Sequence, residues 1–215
     1  MSQEWFAIIL NGWGIDQDQP FGIFQDPIQK INKMKGFLLI VSGLVFYSLS
    51  FAKDLPEMII GTKNAPPGIT FVFEGAIKDD VAPTDIFLSE TKSDIHLETL
   101  ANWNDQAPRG AVKGGFVAYL NVKALIINQS TKQQLSVILP PHMNMSDNLH
   151  YASNTPLPGK RSDLYTVIFS IKPPKDGEMG IHFDWREEVG ARLMEPEQFE
   201  FKDLNFLEIA NATRR

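Results

Sequence analysis

The sequence predicts an all-β, antiparallel sandwich behind an export leader. Three observations carry the prediction. About seven short runs alternate apolar and polar residues, turn residues punctuate the spaces between them, and no segment reads as a convincing amphipathic helix. The 14 Pro and 15 Gly suit a chain with many turns rather than a helical bundle.

The leader comes first. Residues 37–51 form an apolar run, flanked by Lys30, Lys33 and Lys35 and followed by the small-x-small triplet Ser50, Phe51, Ala52. A membrane-spanning helix needs about 20 apolar residues. This run is shorter and ends in a cleavage pattern, so it reads as a signal peptide over residues 34–52. Residues 1–33 show no clear periodicity, and the expectation is that Met34 is the true start and that residues 1–33 are a non-native leader or mis-assigned start. Residues 53–215 then form the exported domain, soluble after cleavage.

Within that domain, Ile69, Phe71 and Phe73 alternate as in a half-buried strand. Residues 86–100 read as a second strand, centred on Asp94-Ile-His-Leu-Glu98. Residues 115–128 read as the clearest one, with Phe116, Ala118, Leu120, Val122, Ala124 and Ile126 on one face. The polar stretch 129–133 then turns the chain into 134–139, which predicts a hairpin. Residues 163–171 form a further strand ended by Pro173 and Pro174, and 199–206 close the sheet.

Composition excludes several functions. The net charge of −6 argues against nucleic acid, whose phosphates require a basic face. With no Cys there is no disulfide, thiolate nucleophile, iron–sulfur cluster or blue-copper centre. GxSxG, HExxH and Gly-rich phosphate loops are absent as well.

Three segments remain that carry chemistry. His96 and Glu98 have the i, i+2 spacing that puts an imidazole and a carboxylate on one face of a strand, although a surface His–Glu pair would give the same pattern. The stretch from His142 to His150 reads as a loop after Pro140-Pro141 and offers two imidazoles, the thioethers of Met143 and Met145, and Asp147. Thioether near imidazole suits copper, above all the reduced ion; the alternative tucks both Met under the sandwich. His182 and Asp184 repeat the i, i+2 spacing, with Asp184 a metal ligand or a partner to a liganding imidazole, or else part of a solvated edge strand.

The residues from about 70 to 206 resemble the periplasmic iron-transport protein family. The resemblance rests on Asp94-Ile-His-Leu-Glu98, the strand over 119–127 followed by Leu139-Pro140, and Met143 seven residues before His150-Tyr151. It extends to Gly180-x-His182-x-Asp184 leading to Glu188-Val-Gly190 and Glu195-Pro196. It implies a copper-binding, immunoglobulin-like β-sandwich homodimer that serves high-affinity iron uptake beside an inner-membrane iron permease. It further implies a metal site of His96, Met143, His150 and His182, with Glu98 approaching the metal and Asp147 on a nearby iron route. A ligand supplied across the dimer interface fits that pattern. Two departures stand out. Asn102 occupies a place where some relatives carry a second histidine, and His142 and Met145 are local additions.

The expected function is therefore copper and iron binding for iron uptake, delivering or redox-conditioning iron, without enzymatic activity. The alternatives are a periplasmic copper chaperone or resistance protein, and an immunoglobulin-like interaction module with incidental histidines. A zinc hydrolase ranks last, because thioether is a poor zinc ligand and no general base is evident. Neutral imidazole is the ligating form, so affinity is expected to fall as pH drops through about 6.5.

Overall fold

The structure, a computed structural model, describes residues 56–214. The leader, the signal peptide and both domain boundaries expected from the sequence lie outside the described residues.

Among the described residues, nine strands build two antiparallel sheets. They are β1 (Met58–Ala65), β2 (Ile69–Ala76), β3 (Ile95–Trp103), β4 (Asn121–Asn128), β5 (Gln134–Leu139), β6 (Pro141–Asn144), β7 (Asn148–Thr155), β8 (Leu164–Lys172) and β9 (Glu197–Asn205). One sheet has the order β1-β2-β3-β7-β6 and the other β5-β4-β8-β9. Two short helices follow late in the chain, α1 (Phe183–Glu188) and α2 (Leu207–Asn211). No helix among the described residues is long and apolar enough to cross a membrane.

The core lies between the sheets and follows from the period-2 patterns. Ile69, Phe71 and Phe73 of β2, Val122, Ala124 and Ile126 of β4, and Tyr165, Val167, Phe169 and Ile171 of β8 are all buried. Phe73 sits at the centre, with ring centroids 4.3 Å from Phe169, 5.5 Å from Phe199 and 5.3 Å from Phe201. A Cβ at Gly61 would overlap the Phe201 ring, so the bare glycine lets β9 pack against β1.

Several expected elements take a different form. The strand sought over 86–100 begins only at Ile95, because the polar run before it winds into a 3-10 turn at Glu90–Lys92, tied by Ser93 Oγ donating to the Ser89 carbonyl at 2.9 Å. The strand sought over 115–128 begins at Asn121. Tyr119 adopts φ 66° in a turn, so Val117 and Leu120 enter the core while Ala118 is exposed. Tyr151 locks that turn: its hydroxyl donates to the Val117 carbonyl at 2.7 Å and accepts the Leu120 N–H at 3.0 Å. Tyr151→Phe leaves both buried backbone groups unpaired and is expected to cost about 1–3 kcal/mol, measurable by denaturant unfolding.

The stretch from His142 to His150 is a hairpin of β6 and β7 rather than a loop. Asn144 Oδ1 accepts the Asp147 N–H at 2.6 Å across the turn, and Asn148 takes φ 61°. His182 and Asp184 lie at the start of α1 rather than on a strand: His182 is its N-cap, and Asp184 Oδ1 accepts the Trp185 N–H. The strand spacing that would have put both side chains on one face does not apply to them.

Candidate metal centre

The strand register assembles the site. Directly opposed residues of an antiparallel pair share a face. Opposite His96 on β3 stand Ala76 and Asn154, and opposite Glu98 stand Glu74 and Ala152. His150 precedes Ala152 by two on β7 and therefore joins this face, and His142 on β6 pairs with His150. Leu97 and Tyr151 point the other way, into the core. One face of the five-stranded sheet thus carries Glu74, Glu98, His96, His150, His142 and Asn154.

Such a polar face is normally open to water. Here the connection from β2 to β3 folds over it. Asn154 Nδ2 donates to the carbonyls of Asp79 (2.6 Å) and Leu88 (2.8 Å), and Phe87 packs its ring 4.7 Å from His142. His96, Glu98, His142 and His150 are all buried. The remaining opening is a cleft of about 400 Å³, walled by Phe87, Met143, Asn144 and Arg214 besides the three imidazoles.

Hydrogen bonds fix the tautomers. Both amide hydrogens of Asn154 are directed at carbonyls, so its Oδ1 accepts from His96 Nδ1–H at 2.8 Å. His142 Nδ1–H donates to the Pro140 carbonyl at 3.0 Å, and His150 Nδ1–H to the Asn148 carbonyl at 3.1 Å. Each of these three imidazoles therefore keeps its lone pair on Nε2. The Nε2 atoms of His142 and His150 are buried with no hydrogen-bond partner, and that of His96 lies 3.7 Å from Glu98 Oε1. Ligand atoms of His96, Glu98 and His150 all fall within 4.8 Å of one another. Buried lone pairs without a donor are costly unless a cation meets them.

Burial also sets the protonation. It pushes His96 down to about 4 and holds His142 and His150 below the usual histidine range. Burial, reinforced by the carboxylates of Asp147, Glu74 and Glu57, pushes Glu98 up to about 8, and burial lifts Glu74 to about 7. At neutral pH the imidazoles are thus already in their ligating form, and Glu98 holds the proton that a cation must displace.

The residues singled out by sequence fall into three groups. His96, Glu98, His150 and His142 come together. Met143 stands in the cleft wall but is 71% exposed, Met145 is fully exposed at the hairpin tip, and neither is tucked under the sandwich. Asp147 is held in the turn by Asn144 and Ser146 and acts on Glu98 through its charge. His182 and Asp184 line a different cleft, with Trp103, Met179, Trp185 and Leu193, so a single chain does not bring them to the other histidines.

Asn154 escaped the sequence reading, although its place four residues after His150 on one strand puts it on the same face. It orients His96 and pins the covering segment. Asn154→Ala is expected to weaken metal binding about 10–100-fold, as loss of an outer hydrogen-bond partner does, and to increase amide exchange over residues 79–88.

A β-sandwich whose sheet face buries three imidazoles beside a carboxylate has the build of a metal-binding protein. The sequence profile of the Fe2+ transport protein family matches residues 54–207, and the chain belongs to that family. No curated protein matches it. Among solved structures it is similar to a copper-bound variant of Campylobacter jejuni P19, with 25% identity and a TM-score of 0.60, covering 69% of this chain and 96% of that one. It is also similar to a copper-bound variant of FetP from uropathogenic Escherichia coli strain F11, with 22% identity and a TM-score of 0.59, covering 68% of this chain and 95% of that one. These neighbours are β-sandwich proteins, in keeping with the fold described above.

Proposed function

We propose that this protein binds copper and iron in the periplasm and serves iron uptake by delivering iron to an inner-membrane permease. The observation that carries the reading is the cluster of His96, Glu98 and His150, whose ligand atoms lie within 4.8 Å of one another, with the His150 Nε2 buried and unpartnered. Membership of the Fe2+ transport protein family supports the iron role, and similarity to a copper-bound structure supports copper. Imidazole with carboxylate suits Cu(II), and the thioether of Met143 on the rim suits Cu(I). Bound copper would supply one-electron exchange; the protein's own residues bind, orient and shield the ion.

In this reading the protein is a binding component rather than an enzyme. It works as a homodimer, and His182 of a second copy, presented at the start of α1, completes the site with Met143. Asp147 lies on the iron route.

Metal analysis and growth test the reading together. The purified protein is expected to hold one copper ion per chain, and a deletion strain is expected to grow poorly when iron is limiting and to recover with the wild-type gene. A strain sensitive only to copper excess would assign the protein to copper resistance instead, and protein with no stoichiometric metal would leave an interaction module.

A further inference from the structure

We infer that His142 is a third imidazole ligand of this centre, so that one chain offers His96, His142 and His150 with Glu98 before any second copy contributes. The inference rests on the proposed metal site and goes beyond it, since it makes the hairpin strand β6 part of the coordination sphere.

Four observations carry it. His142 pairs directly with His150 across β6 and β7, so both side chains leave the sheet on one face. Its Nδ1–H is held by the Pro140 carbonyl, the arrangement that fixes a liganding imidazole with Nε2 free. That Nε2 is buried and unpartnered, on a side chain only 9% exposed. The ring centroid lies 5.4 Å from that of His96 and 6.0 Å from that of His150, which are themselves 6.3 Å apart. With metal–nitrogen bonds of about 2 Å, two imidazoles on one tetrahedral ion have centroids roughly 5 Å apart. The rings stand between a few tenths of an ångström and about 1 Å wider than that, and His142 lies outside the set of ligand atoms within 4.8 Å of one another, so loading the site requires β6 to bring His142 inward.

A purely packing role does not explain the residue. The wall beside Phe87 would accept an aromatic or aliphatic side chain without burying a lone pair. A third nitrogen also gives a firm in-chain set, while the thioether of Met143 remains exposed and available to an incoming ion.

The test is Cu(II) titration with electron paramagnetic resonance on the purified protein and three variants. His142→Phe, which fills the space beside Phe87, is expected to weaken Cu(II) binding at least about tenfold and to remove one coupled imidazole nitrogen. His182→Ala removes the nitrogen supplied by the second copy and is expected to leave the three coupled nitrogens of one chain. His150→Ala is the control for the site itself. If His142→Phe leaves affinity and nitrogen count unchanged while His150→Ala loses copper, the role of His142 is overturned and the metal site stands. If His150→Ala also keeps copper, the site itself is misplaced and both readings fall. Thermal unfolding of the metal-free variants checks folding, and His142→Gln supplies the same readout should the phenylalanine variant not fold.

Discussion

His150→Ala is expected to lower copper affinity by about 10²–10³-fold, because a four-ligand site of about 10–16 kcal/mol loses roughly a quarter of its binding energy. The fold should survive. His150 lies on the sheet face away from the core, and its ring makes a local hydrogen bond to the Asn148 carbonyl. Removing the ring also removes a buried, unpartnered Nε2, which offsets part of the lost packing in the metal-free protein. Competition titration against a copper chelator measures the first effect, and the melting temperature of the metal-free variant measures the second. An unchanged affinity would place the ion elsewhere.

The second large effect concerns pH, and it moves the window expected from the sequence. Free imidazole titrates near 6.5, but His96 is pushed down to about 4 by burial, and the other two are lowered as well. Glu98 is pushed up to about 8. Below that value a cation must displace one proton from Glu98, so copper affinity should fall about tenfold for each unit of pH from 8 toward 5. A further, steeper loss follows as the imidazoles begin to charge. Glu98→Gln removes the proton and should flatten the profile between pH 5 and 8. Titration at several pH values in weakly coordinating buffer reads this slope directly, and a wild-type slope equal to that of the variant would remove Glu98 from the coordination sphere.

The same shifts govern the metal-free fold. Glu98 is raised in the folded state, so its contribution is complete below the ordinary carboxylate value of about 4.5 and is lost as pH rises through about 8. His96 is depressed, so its contribution is present above about 6.5 and is lost as pH falls through about 4. Stability of the metal-free protein should therefore peak between those ordinary values and decline toward pH 8. Copper binding is expected to abolish the alkaline decline, because the cation compensates the Glu98 charge.

Much of the sandwich was readable from local pattern. The alternation in β2, β4 and β8 survives because each of these strands has a face that packs into the core, and period 2 is the direct trace of that burial. β1 left no such trace: its partly exposed sequence MIIGTKNA has no clean alternation, and its pairing with β2 is interrupted by a bulge near Gly61. The helix at Phe183–Glu188 was hidden for another reason. It is a short, exposed element in which no residue is buried, so no hydrophobic stripe announces it.

By itself the sequence determined the alternation that makes a sandwich, the pairing of His96 with Glu98 on one strand face, and the family to which these segments belong. Only the tertiary structure decided that His142 rather than His182 joins them within one chain, that Asn154 orients the group, and that Glu98 rather than an imidazole carries the displaceable proton. Strand spacing acts over two residues and is written in the chain. Register between strands and the segment folded over a sheet face are set by contacts far apart in sequence, and burial, which shifts the proton affinities, exists only once those contacts have formed.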